Sequence, residues 1–304
     1  MKEAIIGVDA GGTKTNVALI DSFGKVIIER KYGVGSYAVS KDAGKNIRLG
    51  IDEVIKENNN EYLIKGIIMG ISAFAIFPHV EEYKKDLRDT YHAEVVMIND
   101  AMMALYMILE DQYEKGIVAI SGTGAAVVGM NNKDIFMTSG WGHLLTERGS
   151  GYCCTKDYVI KMIKEYEENN YISNLSKKFF SHFNLKDFRD LDDFIYNHTK
   201  TELASFASFF IEQAKQNDNE AISWLKETGA SLGKDIINCA NHLGIKDNFV
   251  LGLIGGYINN ALVAKEELVR TLESKGFKFN IYTKKTDPIF GTYFLAKRLG
   301  ILNK

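Results

Sequence analysis

The chain contains little proline and little cysteine. Among its 304 residues there are two prolines and three cysteines. Cys153 and Cys154 are adjacent and Cys239 is distant, which is neither a disulfide framework nor the spacing of a zinc site. Free thiols of this kind are typical of a reducing compartment, so we expect a cytoplasmic protein.

A strong net charge and a long apolar run are also lacking. The formal charge is −2 at pH 7, so nothing in the electrostatics favours nucleic acid or an acidic membrane as a partner. No apolar stretch reaches the roughly 20 residues of a membrane span. The first apolar run breaks at Asp9, too early for a signal peptide. With 46% hydrophobic and 25% charged residues, the chain has the composition of a globular protein and is long enough for two lobes.

Strands and helices alternate in the first third of the chain. Residues 5–8, 16–20 and 25–29 predict three strands, the last two joined by a turn. Alternating helix and strand patterns then continue to residue 109, which indicates a mixed sheet with helices on its faces. The order strand, glycine turn, strand, turn, strand restarts at residue 116. We interpret this as an internal structural duplication.

After Gly151 the pattern is mostly helical. Helices are predicted at residues 152–168, 175–182, 203–216, 220–243, 260–275 and 289–299, with strands at 249–254 and 277–282. We expect an N-terminal lobe at residues 1–115, a C-terminal lobe with a helical insert at 116–287, and a C-terminal helix at 288–304.

Two glycine turns each follow a hydrophobic strand. They are VDAGGTKTN at residues 8–16 and SGTG at residues 121–124. The lysine of the first is one place late for a P-loop, and the second lacks the third glycine of the dinucleotide fingerprint. One such turn alone is typical of a structural hairpin. Two of them, one in each repeat, favour a pair of phosphate clamps facing one cleft, as in a two-lobed enzyme that uses ATP.

The first turn offers backbone, hydroxyl and charged groups to a nucleotide. The candidate ligands there are Gly11, Gly12, Thr13, Lys14 and Thr15. Lys14 could equally face solvent. Asp9 is a poor partner for phosphate, but it suits a water ligand of Mg²⁺, an ion that usually keeps several waters.

The second turn and a later glycine pair complete the candidate nucleotide site. Gly122, Thr123 and Gly124 form the turn, and Gly255 and Gly256 of LIGGYINN lie between a strand and a helix. A close-packed backbone at that pair could meet an adenosine. Taken alone, such a glycine turn is common in any α/β protein.

Five segments together resemble a known family. In chain order VDAGGTKTNVALID, IND, ISGTGAAVVG, GWGHLLTERGSGY and LIGGYINN resemble the N-acetylglucosamine kinase branch of the BadF/BadG/BcrA/BcrD ATPase family. The resemblance spans residues 5 to about 300, and the GWGH…GSGY part is the most specific. It implies an α/β fold of two duplicated ribonuclease-H-like domains, as in actin-like ATPases, with ATP and substrate in the interdomain cleft. It also implies a last helix packed on the first lobe, Thr123 on the phosphates, and a homodimer by analogy.

Asn99 and Asp100 lie where a predicted strand ends and a helix begins. Either residue could cap that helix. A sugar hydroxyl that attacks a phosphate must also lose its proton, and a carboxylate can accept it. The resemblance implies that Asp100 is this catalytic base, with Asn99 holding its orientation beside the substrate.

The GWGH segment supplies candidate sugar contacts. Gly140 and Gly142 permit a close backbone approach, and Trp141 offers an apolar face to a sugar ring, unless it is a core residue. His143 is either a hydrogen-bond donor to the sugar or a structural histidine.

The sequence departs from the family pattern at two places. Glu147 and Arg148 stand where the family has Asp-Glu, with the Asp on the sugar, and Ser36 or Tyr37 stands where an Asn often contacts substrate. A longer acid at Glu147 can still accept sugar hydroxyls. The positive Arg148, unless it is a surface residue, would suit a sugar with an anionic lactyl ether, such as N-acetylmuramic acid.

The resemblance therefore predicts an ATP- and Mg²⁺-dependent kinase acting on the 6-hydroxyl of N-acetylglucosamine, N-acetylmuramic acid or both. One alternative is a glucosamine kinase. Another is an ATPase activator of a radical 2-hydroxyacyl-CoA dehydratase, which would need two well-placed cysteines per chain for an iron–sulfur cluster. A non-catalytic nucleotide-binding regulator is a third, and Asp100 together with the GWGH segment argues against it.

Overall fold

The computed structural model describes residues 2–302. Contacts divide them into two compact units. The first unit holds the described residues up to Gly116 together with those from Thr283 onward, and the second holds Ile117–Tyr282.

Ten strands and twelve helices are assigned within the described range. The strands are β1 (Lys2–Ala10), β2 (Thr15–Asp21), β3 (Val26–Tyr32), β4 (Tyr62–Ile71), β5 (Glu94–Asn99), β6 (Lys115–Ser121), β7 (Ala125–Asn131), β8 (Asp134–Ser139), β9 (Phe249–Ile254) and β10 (Phe279–Ile281). The helices are α1 (Ala43–Glu57), α2 (Val80–Tyr91), α3 (Asp100–Leu109), α4 (Gly151–Asn169), α5 (Asn174–His182), α6 (Asp190–Tyr196), α7 (Lys200–Ser205), α8 (Ala207–Lys215), α9 (Asn219–His242), α10 (Gly256–Asn260), α11 (Leu262–Ser274) and α12 (Phe290–Arg298). A 3₁₀ turn lies at Phe74–Ile76.

The first unit is built on a five-stranded mixed sheet in the order β3-β2-β1-β4-β5. Strands β1, β2 and β3 form an antiparallel meander, and β4 and β5 add to it in parallel. Successive side chains of β1 point to opposite faces. Ile6 packs with Ile47 of α1 on one face, and Ile5 packs with Ile289 and with Tyr293 of α12 on the other. Both faces of the central strand are therefore buried.

The second unit repeats this topology. Its sheet has the order β10-β9-β6-β7-β8. If the five strands of each unit are numbered in chain order and this sheet is read from β8, both sheets have the order third, second, first, fourth, fifth. The β7–β8 pair is antiparallel and the β9–β10 pair is parallel, like their counterparts. The predicted α/β fold with a duplicated topology is confirmed.

The helical part of the second unit differs in detail from the sequence prediction. The helix predicted at 203–216 is two helices, α7 and α8, whereas the one predicted at 260–275 is α11, preceded by the short helix α10. Helix α6 was not predicted. An aromatic core joins these elements, with Phe179 of α5, Phe194 of α6, Phe210 of α8 and Trp224 of α9 in one buried cluster. Within residues 2–302 no helix is both long and apolar enough to cross a bilayer.

Candidate functional site

The first glycine turn is the tip of the hairpin between β1 and β2. The Gly11 amide donates to the carbonyl of Lys14 over 2.9 Å, which closes the turn. Gly12, Thr13 and Lys14 are all exposed at this tip. The structural and functional interpretations of the turn are therefore compatible, because a hairpin tip of this shape leaves its groups accessible to a ligand.

Thr15 does not fit the predicted role of a phosphate donor. Its side chain is fully buried at the start of β2, and its hydroxyl donates to the carbonyl of Gly33 over 2.8 Å. The hydroxyl proton is thus used to hold the following loop against the hairpin.

The side chains of Ser36 and Tyr37 also make contacts that hold the fold together. The buried Ser36 hydroxyl donates to the carbonyl of Ser72 over 3.2 Å. The ring of Tyr37 packs edge-on against Phe77, with centroids 4.9 Å apart, in the core beneath α1. Substrate contacts by these two side chains are not supported by this geometry, since both are engaged in holding the loop that contains them.

Asn99 and Asp100 have separate roles at the start of α3. The Asn99 side chain accepts a hydrogen bond from the amide of Met102 over 2.7 Å, so Asn99 is the N-cap. Asp100, the first helical residue, accepts from the adjacent amide of Ala101, over 2.9 Å, from the side chain of Ser72 and from its own backbone amide. Burial raises the pKa of the Asp100 carboxyl, and these three hydrogen bonds partly offset that shift. A carboxyl that is not needed for capping and has a raised pKa is suited to accept a proton.

Asp9 lies at the end of β1 in the same unit. Burial, followed by repulsion from Asp287 and Asp100, raises its pKa to about 6, while Lys14 acts in the opposite direction. A nearby cation would relieve this repulsion. Asp287 was not singled out in the sequence; its side chain accepts from the amide of Ile289 over 3.0 Å at the start of α12.

The three carboxylates do not form a metal cage. Over the described part of the chain there is no group of three or more His, Cys, Asp or Glu side chains arranged to hold a metal ion. The surroundings of Asp9 fit an ion that keeps most of its waters, as Mg²⁺ does.

In the second unit, the turn Ser121–Gly124 between β6 and β7 is held by the segment that opens α4. The Ser121 hydroxyl donates to the carbonyl of Gly149 over 2.6 Å. The amide of Gly151 donates to the carbonyl of Gly122 over 2.8 Å. Thr123 remains exposed at the tip.

The glycine pair after β9 presses on this turn from another side. Gly255 has a φ of 123°, and a Cβ at this position would lie 2.3 Å from the carbonyl oxygen of Ser121. Only glycine fits there. Gly256 is exposed, with open space where a Cβ would be.

A cavity of about 500 Å³ starts at the turn and extends along α7, α8 and α10. Its lining residues are Gly122, Thr123, Thr201, Ala204, Ser205, Ala207, Ser208, Ile211, Glu212, Lys215, Gly256, Tyr257 and Asn260. The part from α7 and α8 was missed by the sequence analysis. In sequence it has the polar pattern of an ordinary solvated helix face, so it carried no signal.

The GWGH segment forms an exposed loop in the second unit. Gly140 and Gly142 both have positive φ angles, and the amide of Thr146 donates to the carbonyl of Gly142 over 3.0 Å. Trp141 is 71% exposed, so the alternative that it is a core residue is wrong. The ring of His143 lies edge-on to that of Tyr152, with centroids 5.2 Å apart.

Glu147 and Arg148 both have ionic partners that the sequence analysis did not identify. Glu147 is 7% exposed, and its two carboxylate oxygens lie 2.9 and 2.7 Å from Nζ of Lys200. Arg148 donates to the fully buried Asp235 of α9 over 2.6 Å. The positive charge of Arg148 is therefore neutralised, which corrects the expectation that it serves an anionic sugar.

Two sheets of one repeated topology, each with a glycine turn after its first strand, define an α/β fold of the sugar kinase and actin-like ATPase class. The chain belongs to the BadF/BadG/BcrA/BcrD ATPase family, whose sequence pattern matches residues 6–296.

Relatives cover nearly the whole chain. The N-acetylmuramic acid/N-acetylglucosamine kinase of Clostridium acetobutylicum is 26% identical over 96% of this chain and 98% of its own. The N-acetyl-D-glucosamine kinase of Dictyostelium discoideum is 27% identical over 97% and 98%. A Chromobacterium violaceum protein, provisionally named an N-acetylglucosamine kinase, has a crystal structure with a TM-score of 0.67 at 16% identity over 96% and 98%. That structure is similar to this chain in fold.

Proposed function

We propose that this protein is an ATP-dependent sugar kinase that phosphorylates the 6-hydroxyl of an N-acetylated amino sugar. The observation that carries the proposal is the state of Asp100. Its carboxyl is half-buried, is not needed to cap α3, and lies in the same unit as an open glycine turn and Asp9.

The chemistry requires a proton acceptor and little else of a covalent kind. The sugar O6 attacks the γ-phosphorus of ATP, the bond from that phosphorus to the ADP oxygen breaks, and the O6 proton passes to Asp100. The burial that raises the pKa of Asp100 strengthens it as a base. Asn99 fixes the position of Asp100 by capping the helix that Asp100 begins.

Each unit contributes one phosphate turn to this proposal. In the first unit, Gly11, Gly12, Thr13 and Lys14 are accessible at the hairpin tip. Asp9 would hold Mg²⁺ through water, and the ion would neutralise phosphate charge. In the second unit, the turn Gly122–Gly124 opens into a cavity of about 500 Å³, a size suited to a nucleoside.

The sugar is assigned to the loop that contains Trp141. The exposed indole offers an apolar face, and Gly140 and Gly142, both at positive φ, carry no side chain that would obstruct a ligand there. His143 and Glu147 are proposed as hydrogen-bonding partners of the sugar. Because both curated relatives are named for N-acetylglucosamine and one also for N-acetylmuramic acid, these two sugars are the proposed substrates.

The activator function has weaker support. Cys153, Cys154 and Cys239 are all buried free thiols, and burial raises the pKa of Cys154 to about 12. Such thiols are poor candidates for a cluster shared between two subunits. Free cysteines also support a reducing compartment, the cytoplasm, as the place of action.

An ADP-release assay tests the function. The acceptors are N-acetylglucosamine, N-acetylmuramic acid, glucosamine and 6-deoxy-N-acetylglucosamine. We expect turnover with one or both N-acetylated sugars and none with the 6-deoxy compound, which lacks the attacking hydroxyl. Steady ATP hydrolysis at a rate that no sugar changes would overturn the proposal. Turnover of the 6-deoxy sugar would overturn the assignment of the 6-hydroxyl as the phosphorylated group.

A further inference from the structure

We propose that Lys200 is a positioning residue for nucleotide binding: by neutralising Glu147, it lets a carboxylate lie against the turn at 121–124 without repelling the phosphates. The inference depends on the proposed function only in taking that turn as a phosphate site. Neither Lys200 nor its pairing stood out in the sequence, where it is 53 positions from Glu147.

The carboxylate of Glu147 touches the turn itself. A Cβ on Gly124 would lie 2.5 Å from Oε2 of Glu147 and 3.0 Å from Nζ of Lys200. The ion pair therefore occupies the space that a side chain at Gly124 would fill. Glycine at this position is what allows a buried charge to come so close to the turn.

An unpaired carboxylate here would weaken nucleotide binding. Two like charges a few ångströms apart in a partly desolvated site repel strongly, and the three phosphates of ATP multiply the effect. Lys200 contacts both oxygens of Glu147, so the net charge of the pair is zero. The turn then presents its backbone groups to phosphate without a competing negative charge.

Local structure fixes Lys200 in place. It is the first residue of α7, which begins with a capping box between Thr199 and Glu202. The next turn of α7 packs on the start of α4, where a Cβ on Gly151 would lie 2.8 Å from the carbonyl oxygen of Ala204. The location of Lys200 is thus set by α7, and that of Glu147 by the segment that leads into α4.

Helix α4 offers a matched control lysine outside the nucleotide cavity. The ammonium of Lys164 pairs with Glu168 one turn along the helix, 3.8 Å away, and both side chains are well exposed. Pairs of this kind contribute little. Lys164→Met therefore removes a paired lysine without leaving a buried carboxylate unpaired.

The test is direct binding, without sugar, of ATP, ADP and adenosine by isothermal titration calorimetry. Lys200→Met should weaken ATP binding about 10- to 100-fold, ADP less, and adenosine less than about twofold. Lys200→Arg and Lys164→Met should bind ATP with an affinity close to that of the wild type. Glu147→Gln should bind ATP at least as tightly as the wild type. The double variant Glu147→Gln/Lys200→Met should bind ATP with an affinity within about threefold of the wild type.

Each other outcome has a distinct meaning. Equal losses for ATP and adenosine in Lys200→Met would indicate a merely structural role and overturn the inference. A double variant as weak as Lys200→Met would also overturn it, because it would show that Lys200 contacts phosphate itself. If the wild type bound ATP no more tightly than adenosine, the phosphate site of the proposed function would fail instead. Thermal melting of each variant checks that it is folded.

Discussion

The two glycine turns occupy equivalent places in the repeated topology, yet their surroundings differ. The first turn is an open hairpin tip beside Asp9, whose pKa is raised by burial and then by repulsion from Asp287 and Asp100. The second packs against the backbone at Gly255 and lies beside the ion pair of Glu147 and Lys200. One topology thus holds an acidic, accessible turn, to which we assign the cation and phosphate contacts, and a tightly packed turn beside the proposed nucleotide cavity.

The largest effect is expected from removal of the proposed base, which lies in the same unit as the first turn. Asp100→Asn should lower kcat about 10²- to 10⁴-fold, the usual contribution of a general base. Binding of ATP should change less than about threefold, because Asp100 is proposed to act on the sugar hydroxyl and not on the nucleotide. The measurement is steady-state kinetics together with calorimetry. Asp89→Asn, at an exposed position of α2, is the control; loss of activity no greater than in this control would remove Asp100 as the base.

Packing at the second turn can be broken by one methyl group. Gly255→Ala meets the carbonyl of Ser121 and must adopt a φ of 123°, so it should lower the free energy of unfolding by about 2–4 kcal/mol. Gly256→Ala has open space and should stay within about 0.5 kcal/mol of the wild type. Urea denaturation measures both. Similar values for the two variants would show that the turn is not tightly packed.

Much of this contrast could not be predicted from sequence. The two turns and the Asn99-Asp100 pair were visible because each is a local pattern after a strand. Lys200 and Asp235 were not, because they lie 53 and 87 positions from their partners and only the fold brings them together. Thr15 misled the analysis for a related reason: a threonine in a turn can face either way, and strand pairing decided that it faces inward.

A third experiment compares the electrostatics of the units. The folded pKa of Asp9, about 6, lies above the ordinary value of 3.8. The ionised form is therefore disfavoured by folding, and this cost is fully present above about pH 6 and fades as the pH falls towards 4. Asp9→Asn should raise the free energy of unfolding by about 2–3 kcal/mol at pH 8, with no gain near pH 4.

A carboxylate in the second unit should respond with the opposite sign. Asp235 is fully buried but paired with Arg148, so Asp235→Asn should destabilise the protein at pH 8. Urea denaturation at several pH values measures both variants. A destabilised Asp9→Asn variant at pH 8 would contradict the cost of ionising Asp9 that burial and repulsion impose.

The smallest expected effect concerns the pH profile. Because burial raises the pKa of Asp100, kcat/KM should fall with decreasing pH along a limb that lies above the ordinary carboxyl range. Ser72→Ala removes a hydrogen bond that lowers this pKa, so the limb should move to higher pH, with less than about a tenfold loss at neutral pH. Ser72→Thr keeps the hydroxyl and should restore the profile. If the limb does not move in Ser72→Ala, Ser72 does not influence the pKa of the base.

The two tryptophans of this chain lie in opposite environments, which has a practical consequence. Trp141 is 71% exposed, whereas Trp224 is 8% exposed and donates to the carbonyl of Cys154. Their fluorescence should consist of a red, easily quenched component from Trp141 and a blue, protected one from Trp224. A Trp224→Phe variant would leave Trp141 as the single tryptophan, so its emission would report binding at that loop, the proposed sugar site, in real time without any label.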